Sequence, residues 1–193
     1  MEYYINFGEI EDAFIIKPNK LLNPAILDIE TTGLNPITDS IICIGLLYKN
    51  EEKIFYAKTK EQEQEILRNF LNFVSNKKVL SYVGFNVFFD YAFIRYRSLI
   101  HDVPVRNVFL KDLRSSVLSG YIEFMKTKGT TLYEITESLN YHGGTQEHIA
   151  NFEIPKLYAE NKHDLIKEHL RDDLYRTKFL FDKLLNLGFF AGW

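Results

Sequence analysis

The sequence predicts an α/β fold in which a mixed five-stranded sheet is flanked by helices. Three observations carry that expectation. Three strand-like runs follow one another between residues 25 and 58, and helical and strand-like runs alternate after them. Apolar residues make up 46% of a 193-residue chain, enough for one substantial core rather than for a disordered segment or two domains.

The elements follow from local chemistry. Residues 1–24 are irregular, closed by Pro18 and Pro24, and are expected as an extension packed on a single domain spanning 25–193. AILDIE (25–30) reads as the first strand, ended by the turn signal TTGLNP. SIICIGLLYK (40–49) and EEKIFYAK (51–58) read as a hairpin, with Asn50 near its turn. KEQEQEILRNFLNFVSN (60–76) places Ile66, Leu67, Phe70, Leu71 and Val74 at helical spacing. KVLSYVGF (78–85) is a short strand, FFDYAFIRYRSLI (88–100) a helix and VRNVFLKDL (105–113) a fifth strand entering a turn. Helical patterning then runs to a long segment from His163 to Leu187, with Leu170, Leu174, Phe181, Leu184 and Leu185 as its apolar stripe.

Composition narrows the function classes. A net charge of -3 provides no global attraction to nucleic acid or to an acidic membrane, although clustered carboxylates holding metal would mask a mildly basic remainder. The lone Cys43 excludes an internal disulfide and, inside IICIG, reads as a small buried hydrophobe suited to a reducing compartment. No apolar run approaches the ~20 residues of a membrane span, so the expected location is cytoplasmic with no membrane partner.

Three acidic stretches carry the chemistry. In AILDIETTGL, Asp28 and Glu30 are two apart on a strand and share a face, where their charges repel. A divalent cation would compensate them; a strand end open to water is the alternative. In VGFNVFFDYAF, Asn86 follows a strand and Asp90 falls in the first turn of the next helix, where capping is the plain alternative to a site. In IKEHLRDDLYR, His169 and Asp173 are four apart and lie about 40° from each other around a helix, whereas Asp172 points about 100° away from Asp173. A solvated face is the alternative there.

Taken together, these motifs resemble the DEDD exonuclease superfamily, 3′–5′ exonucleases with a ribonuclease H-like fold. Asp28 and Glu30 match the first motif, Asp90 the second and Asp173 the third, within the contexts DIETTGL and FN-x3-D-x2-F. The stretch from FEIPKLYAEN to HLRDD resembles predicted exonucleases related to the proofreading domain of family-B polymerases. The resemblance covers residues 25–187 and implies two Mg2+ or Mn2+ ions held by Asp28, Glu30, Asp90 and Asp173, with Asp28 bridging them. Hard oxygen ligands suit those ions, and paired metals can stabilise the attacking and leaving oxygens of a phosphodiester.

The family also carries a residue that orients or deprotonates the attacking water, a Tyr four residues before the last Asp in one subclass and a His five before it in the other. His169 is the His type at the Tyr spacing. It is expected as the proton acceptor, since imidazole titrates near neutral pH.

The resemblance further implies that Thr31, Thr32, Gly33 and Leu34 lie against the terminal nucleotide. Leu34 either wedges against the last base or packs under its loop. Asn86 is expected at the phosphate or as a brace of the loop, and Phe89 beneath the metals or against a base. Arg95, Arg97, Arg114, Lys126 and Lys128 are candidates for a strand path, and Asp112 for a supporting acid. The implied activity is metal-dependent 3′–5′ exonucleolysis of single-stranded nucleic acid, DNA before RNA. An RNase H-like or structure-specific endonuclease and a catalytically weak binding domain are the alternatives. Phe189, Phe190 and Trp193, beyond Gly188, either fold back on Tyr3, Tyr4 and Phe7 or bury against another copy, which leaves a homo-oligomer open.

Overall fold

The computed structural model describes residues 24–49, 51–79, 82–105, 130–144 and 149–188. Strands β1 (Ala25–Thr31), β2 (Ile41–Tyr48), β3 (Glu51–Tyr56) and β4 (Tyr82–Val83) form one sheet in the order β3-β2-β1-β4. The β1–β2 and β2–β3 pairs are antiparallel and β1–β4 is parallel, so the sheet is mixed as expected. It has four strands among the described residues, not five. The fifth run, VRNVFLKDL, lies outside the described residues from position 106 onward. The same holds for residues 1–23, for Asp112, Arg114, Lys126 and Lys128, and for the aromatic tail.

The period-two alternation of β1 divides it between two cores. Leu27 and Ile29 pack with Ile66, Phe70 and Val74 of α1 (Glu63–Asn76) and with Phe93 and Ile94 of α2 (Val87–Ile100). Ile26 faces the other way, onto Ile166, Leu170 and Leu174 of α5 (His163–Asn186). Asp28 and Glu30 share the parity of Ile26 and therefore stand on the α5 face. Complete burial of rings such as Phe70 and Phe93 stabilises this arrangement by about 2–3 kcal/mol each.

Gly45 sets how closely α5 approaches. It pairs with Asp28 across the sheet, and a β-carbon there would stand 2.7 Å from Leu174 Cδ1 and 3.0 Å from Leu170 Cδ2. The bare backbone lets α5 lie directly on β2, beside the two acidic positions of β1. Of the expected stripe on this helix, Leu170, Leu174, Phe181 and Leu184 are buried, but Leu185 is largely exposed; Leu180 takes the core place instead. The helix ends at Asn186, and Gly188 follows at φ 75°, a left-handed conformation that glycine adopts without strain.

Two buried ion clusters lock the helices. Glu63 accepts bonds from Arg97 Nε and Nη2 at 2.8 and 2.6 Å and from the Ile41 N–H at 2.7 Å, and His101 Nε2 is 2.8 Å from its Oε2. Burial pushes the Glu63 carboxyl up, but these bonds outweigh it and hold the group below the usual range. On the other side, Arg176 donates to Asp172, Thr136 and Glu137 and lies between the rings of Tyr133 and Tyr141. This ties α5 to α3 (Leu132–Ser138), whose start is a reciprocal capping box between Thr131 and Glu134. The short α4 (Ile154–Ala159) carries Pro155 in its first turn. Among the described residues, no helix is long and apolar enough to cross a membrane.

Candidate active site

The three acidic stretches meet at one end of the sheet. β1 supplies Asp28 and Glu30, the first turn of α2 supplies Asp90, and successive turns of α5 supply His169 and Asp173. Asp28, Asp90 and Asp173 line an open cleft of about 580 Å³. Glu30 and His169 are buried at 5% and 4% exposure. His169 Nε2 stands 3.3 Å from Glu30 Oε1 and 3.7 Å from Asp173 Oδ2.

Local structure explains each placement. Asn86, at φ 64°, holds the left-handed conformation that turns the chain from β4 into α2, and asparagine tolerates this better than most residues. It occupies the capping position itself, so Asp90 is not the cap. Asp90 is 3% exposed, and its Oδ1 has no hydrogen-bond partner among the described residues. Asp172 points away from the cluster to its ion pair with Arg176, while Asp173 faces Glu30 and His169.

Burial raises the proton affinity of all four carboxylates, and neighbouring acidic charges add to it at Asp28, Glu30 and Asp173. Burial, then the charges of Asp90, Asp173 and Glu30, push Asp28 well above the usual carboxylate range. Burial followed by Asp173 and Asp90 does the same to Glu30. Burial pushes Asp90 up to about 8, and burial with the neighbouring Asp172 pushes Asp173 up to about 7. Among the described residues no lysine or arginine pairs with Asp28, Glu30 or Asp90. Four crowded carboxylates, three of them without a lysine or arginine partner among the described residues, are a hard-oxygen donor set, and it fits divalent cations of the Mg2+ or Mn2+ type. Glu30, His169 and Asp173 offer donor atoms that all lie within 4.8 Å of one another.

The loop after β1 is internally braced. Thr31 Oγ1 donates to the Gly33 carbonyl at 2.6 Å, and the Ser40 N–H donates to Thr32 Oγ1 at 2.9 Å. Both threonine hydroxyls therefore shape the loop. A β-carbon on Gly33 would run into the Asp39 carboxylate, which accepts the Asn35 N–H. Leu34 does not pack under the loop: it is 83% exposed and lines the cleft. Asn86 and Phe89 line the cleft too, and Phe89 also packs on Phe93 with ring centroids 4.9 Å apart. Arg97 is not on a strand path. It is buried against Glu63, and its Nη1 reaches the carbonyls of Pro36 and Ile37 at 3.4 and 3.5 Å. Arg95 remains exposed.

Sequence reasoning missed the opposite wall of the cleft, formed by Thr131, Tyr133, Asn151 and Phe152. Phe152 is 83% exposed. The capping pattern at Thr131–Glu134 was a readable signal for a helix start there. Nothing local in NFEIP marks its phenylalanine as exposed.

The family model of the RNase_H superfamily matches residues 25–185. The chain is similar to the uncharacterized protein MJ0365 of Methanocaldococcus jannaschii, 33% identical over 177 residues that cover 85% of this chain and 96% of that one. Its fold is similar to part of the family B DNA polymerase from the hyperthermophilic archaeon Pyrobaculum calidifontis, with a TM-score of 0.68 and 19% identity over 85% of this chain. The chain spans 24% of that polymerase's length. With the family match running from β1 to the end of α5, this chain belongs to the RNase_H superfamily.

Proposed function

We propose that the protein is a metal-dependent 3′–5′ exonuclease of the DEDD type, acting on single-stranded nucleic acid and releasing nucleoside 5′-monophosphates. The observation that carries this reading is the convergence of Asp28, Asp90 and Asp173 at one cleft, with Glu30 buried beside Asp173 and the proton affinity of all four raised. The fold shared with a DNA polymerase supports DNA ahead of RNA as substrate.

Two divalent ions held by these carboxylates would supply a nucleophilic water at neutral pH and offset charge on the departing 3′ oxygen. The chain's own residues then have distinct tasks. Asp28, on β1 within the influence of the α2 acid Asp90 and the α5 acid Asp173, would hold the ions together with Glu30, Asp90 and Asp173. Leu34, exposed at the cleft, presents an apolar surface to the terminal base, on a loop that Thr31 and Thr32 hold in shape. Asn86 and Phe89 face the same space from the start of α2. An apolar contact at the terminal base is sequence-tolerant, as an enzyme that removes every base in turn needs.

Single-stranded DNA and RNA oligomers labelled at either end, incubated with Mg2+, Mn2+ or EDTA, test the proposal. The expected result is stepwise loss of 3′ nucleotides from DNA with either ion and none in EDTA. Internal cuts would favour the endonuclease alternative. Binding without cleavage under any metal condition would overturn the enzymatic reading.

A further inference from the structure

We infer that His169 is itself a metal ligand, and that Glu30, His169 and Asp173 form a mixed oxygen–nitrogen face that selects Mn2+ over Mg2+. This rests on the metal-dependent reading of the same site and gives His169 a task other than proton acceptor.

The geometry is that of donors around one ion. His169 Nε2 is 3.3 Å from Glu30 Oε1 and 3.7 Å from Asp173 Oδ2, and all three donor atoms lie within 4.8 Å of one another. Donors bound at about 2.1 Å stand about 3 Å apart at right angles and about 3.5 Å apart at tetrahedral angles. Small side-chain adjustments therefore bring all three onto a common ion. His169 and Asp173 sit one turn apart on the same face of α5, the spacing that lets a helix contribute two ligands to one site. Glu30 meets them from β1.

Burial keeps the imidazole in that position. His169 is 4% exposed, and the cleft wall passes through Asp28, Asp90 and Asp173 without it. The rotation of α5 is held by the buried Arg176, which ties Asp172 to Thr136 and Glu137. A proton acceptor for attacking water must reach the cleft, whereas this Nε2 is directed at two carboxylates. A second observation points to a cation here: Asp90, on the wall of the same cleft, leaves Oδ1 buried without a hydrogen-bond partner among the described residues.

The donor chemistry then sets selectivity. Mg2+ prefers oxygen ligands throughout, whereas a first-row transition metal accepts imidazole nitrogen readily. Replacing one oxygen ligand by nitrogen weakens the Mg2+ site more than the Mn2+ site.

Pulsed electron paramagnetic resonance of the full chain loaded with one equivalent of Mn2+ reads the ligand directly. Wild-type protein should show nitrogen modulation that changes from the 14N to the 15N pattern when only histidine is 15N-labelled, a measurement that needs no substitution. His169→Gln should abolish that signal and weaken Mn2+ binding by more than the ~10-fold caused by losing an outer partner of a metal ligand. It should also narrow the preference for Mn2+ over Mg2+ in calorimetric titrations. Absence of histidine coupling in the wild type, or its persistence in His169→Gln, would overturn the inference. So would a His169→Ala enzyme whose turnover falls while Mn2+ affinity and spectrum stay unchanged, which is the signature of a proton acceptor. Histidine-coupled Mn2+ in a protein that cuts no nucleic acid would leave the ligand in place and remove the nuclease reading. Cleavage without nitrogen coupling would do the reverse.

Discussion

Replacing Asp90 by Asn should stabilise the metal-free protein at pH 8, by an amount that falls and changes sign as the pH is lowered. Asp90 is 3% exposed, and burial pushes its carboxyl from 3.8 to about 8. Between those two values the folded chain holds a proton that the unfolded chain has already released. Wild-type stability therefore falls as pH rises through this window and is fully present only below the unfolded value. A shift of roughly four pH units at about 1.4 kcal/mol each sets an upper bound of about 6 kcal/mol. Asn carries no proton to lose but still buries an amide at a cost of about 1–3 kcal/mol. The expected effect of Asp90→Asn is therefore a gain of about 3 kcal/mol at pH 8, which turns into a loss of about 1–3 kcal/mol near pH 4, where the wild-type carboxyl is protonated in both states and only the amide's burial cost remains. Urea unfolding in EDTA at several pH values, comparing the two proteins at each, measures the difference. Adding Mn2+ should reverse the order, because the wild type alone keeps the full ligand set. A difference that does not change with pH, or a variant less stable than wild type at pH 8 in EDTA, would refute the buried-carboxylate account.

Other perturbations probe the remaining elements. Asp28→Ala should reduce cleavage by at least ~100-fold while circular dichroism shows an intact fold, since removing one of four like charges relieves repulsion; retained cleavage would sink the two-metal scheme. Gly45→Ala should drive a methyl into Leu174 and Leu170, lowering stability by about 1–3 kcal/mol and weakening metal binding as α5 shifts from β1. A wild-type melting point and metal affinity would refute that role. Arg97→Ala should cost about 3–5 kcal/mol at neutral pH by leaving Glu63 buried without its main partner. The loss should shrink in acid, where Glu63 protonates and needs no counterion. Thermal melts at pH 7 and pH 4 check both parts.

Much of the architecture was legible because it rests on local chemistry. The period-two run around Asp28, the helical spacing of Ile66, Leu67, Phe70, Leu71 and Val74, and the glycine stop after the last helix need no distant contact to be read. The observed strands and helices follow those patterns closely. Asp28 and Glu30 could be picked out for a similar reason: a charged pair in an apolar strand is costly unless something compensates it, and only a few compensations are available; Asp90 and Asp173 joined them through the family resemblance.

Residues whose meaning depends on a distant partner were not legible. Arg97 reads as a free surface charge until α2 lies against α1 and buries it on Glu63. Leu34 reads equally as a wedge at the last base or as packing under its loop, and nothing local marks Phe152 as exposed, yet both stand exposed at the cleft. The choice between Asp172 and Asp173 could be argued from helical angle, but their opposite assignments come from Arg176 on one side and from Glu30 and His169 on the other. The sequence by itself determined which acidic side chains share a face, because residue type and periodicity set donor chemistry and orientation, while the choice of Asp28, Glu30, Asp90 and Asp173 as one metal-ligand set came from the family resemblance. Only the tertiary structure decided which donors meet: the closeness of His169 to Glu30 depends on α5 lying flat on the sheet, which the bare backbone of Gly45 on another strand permits.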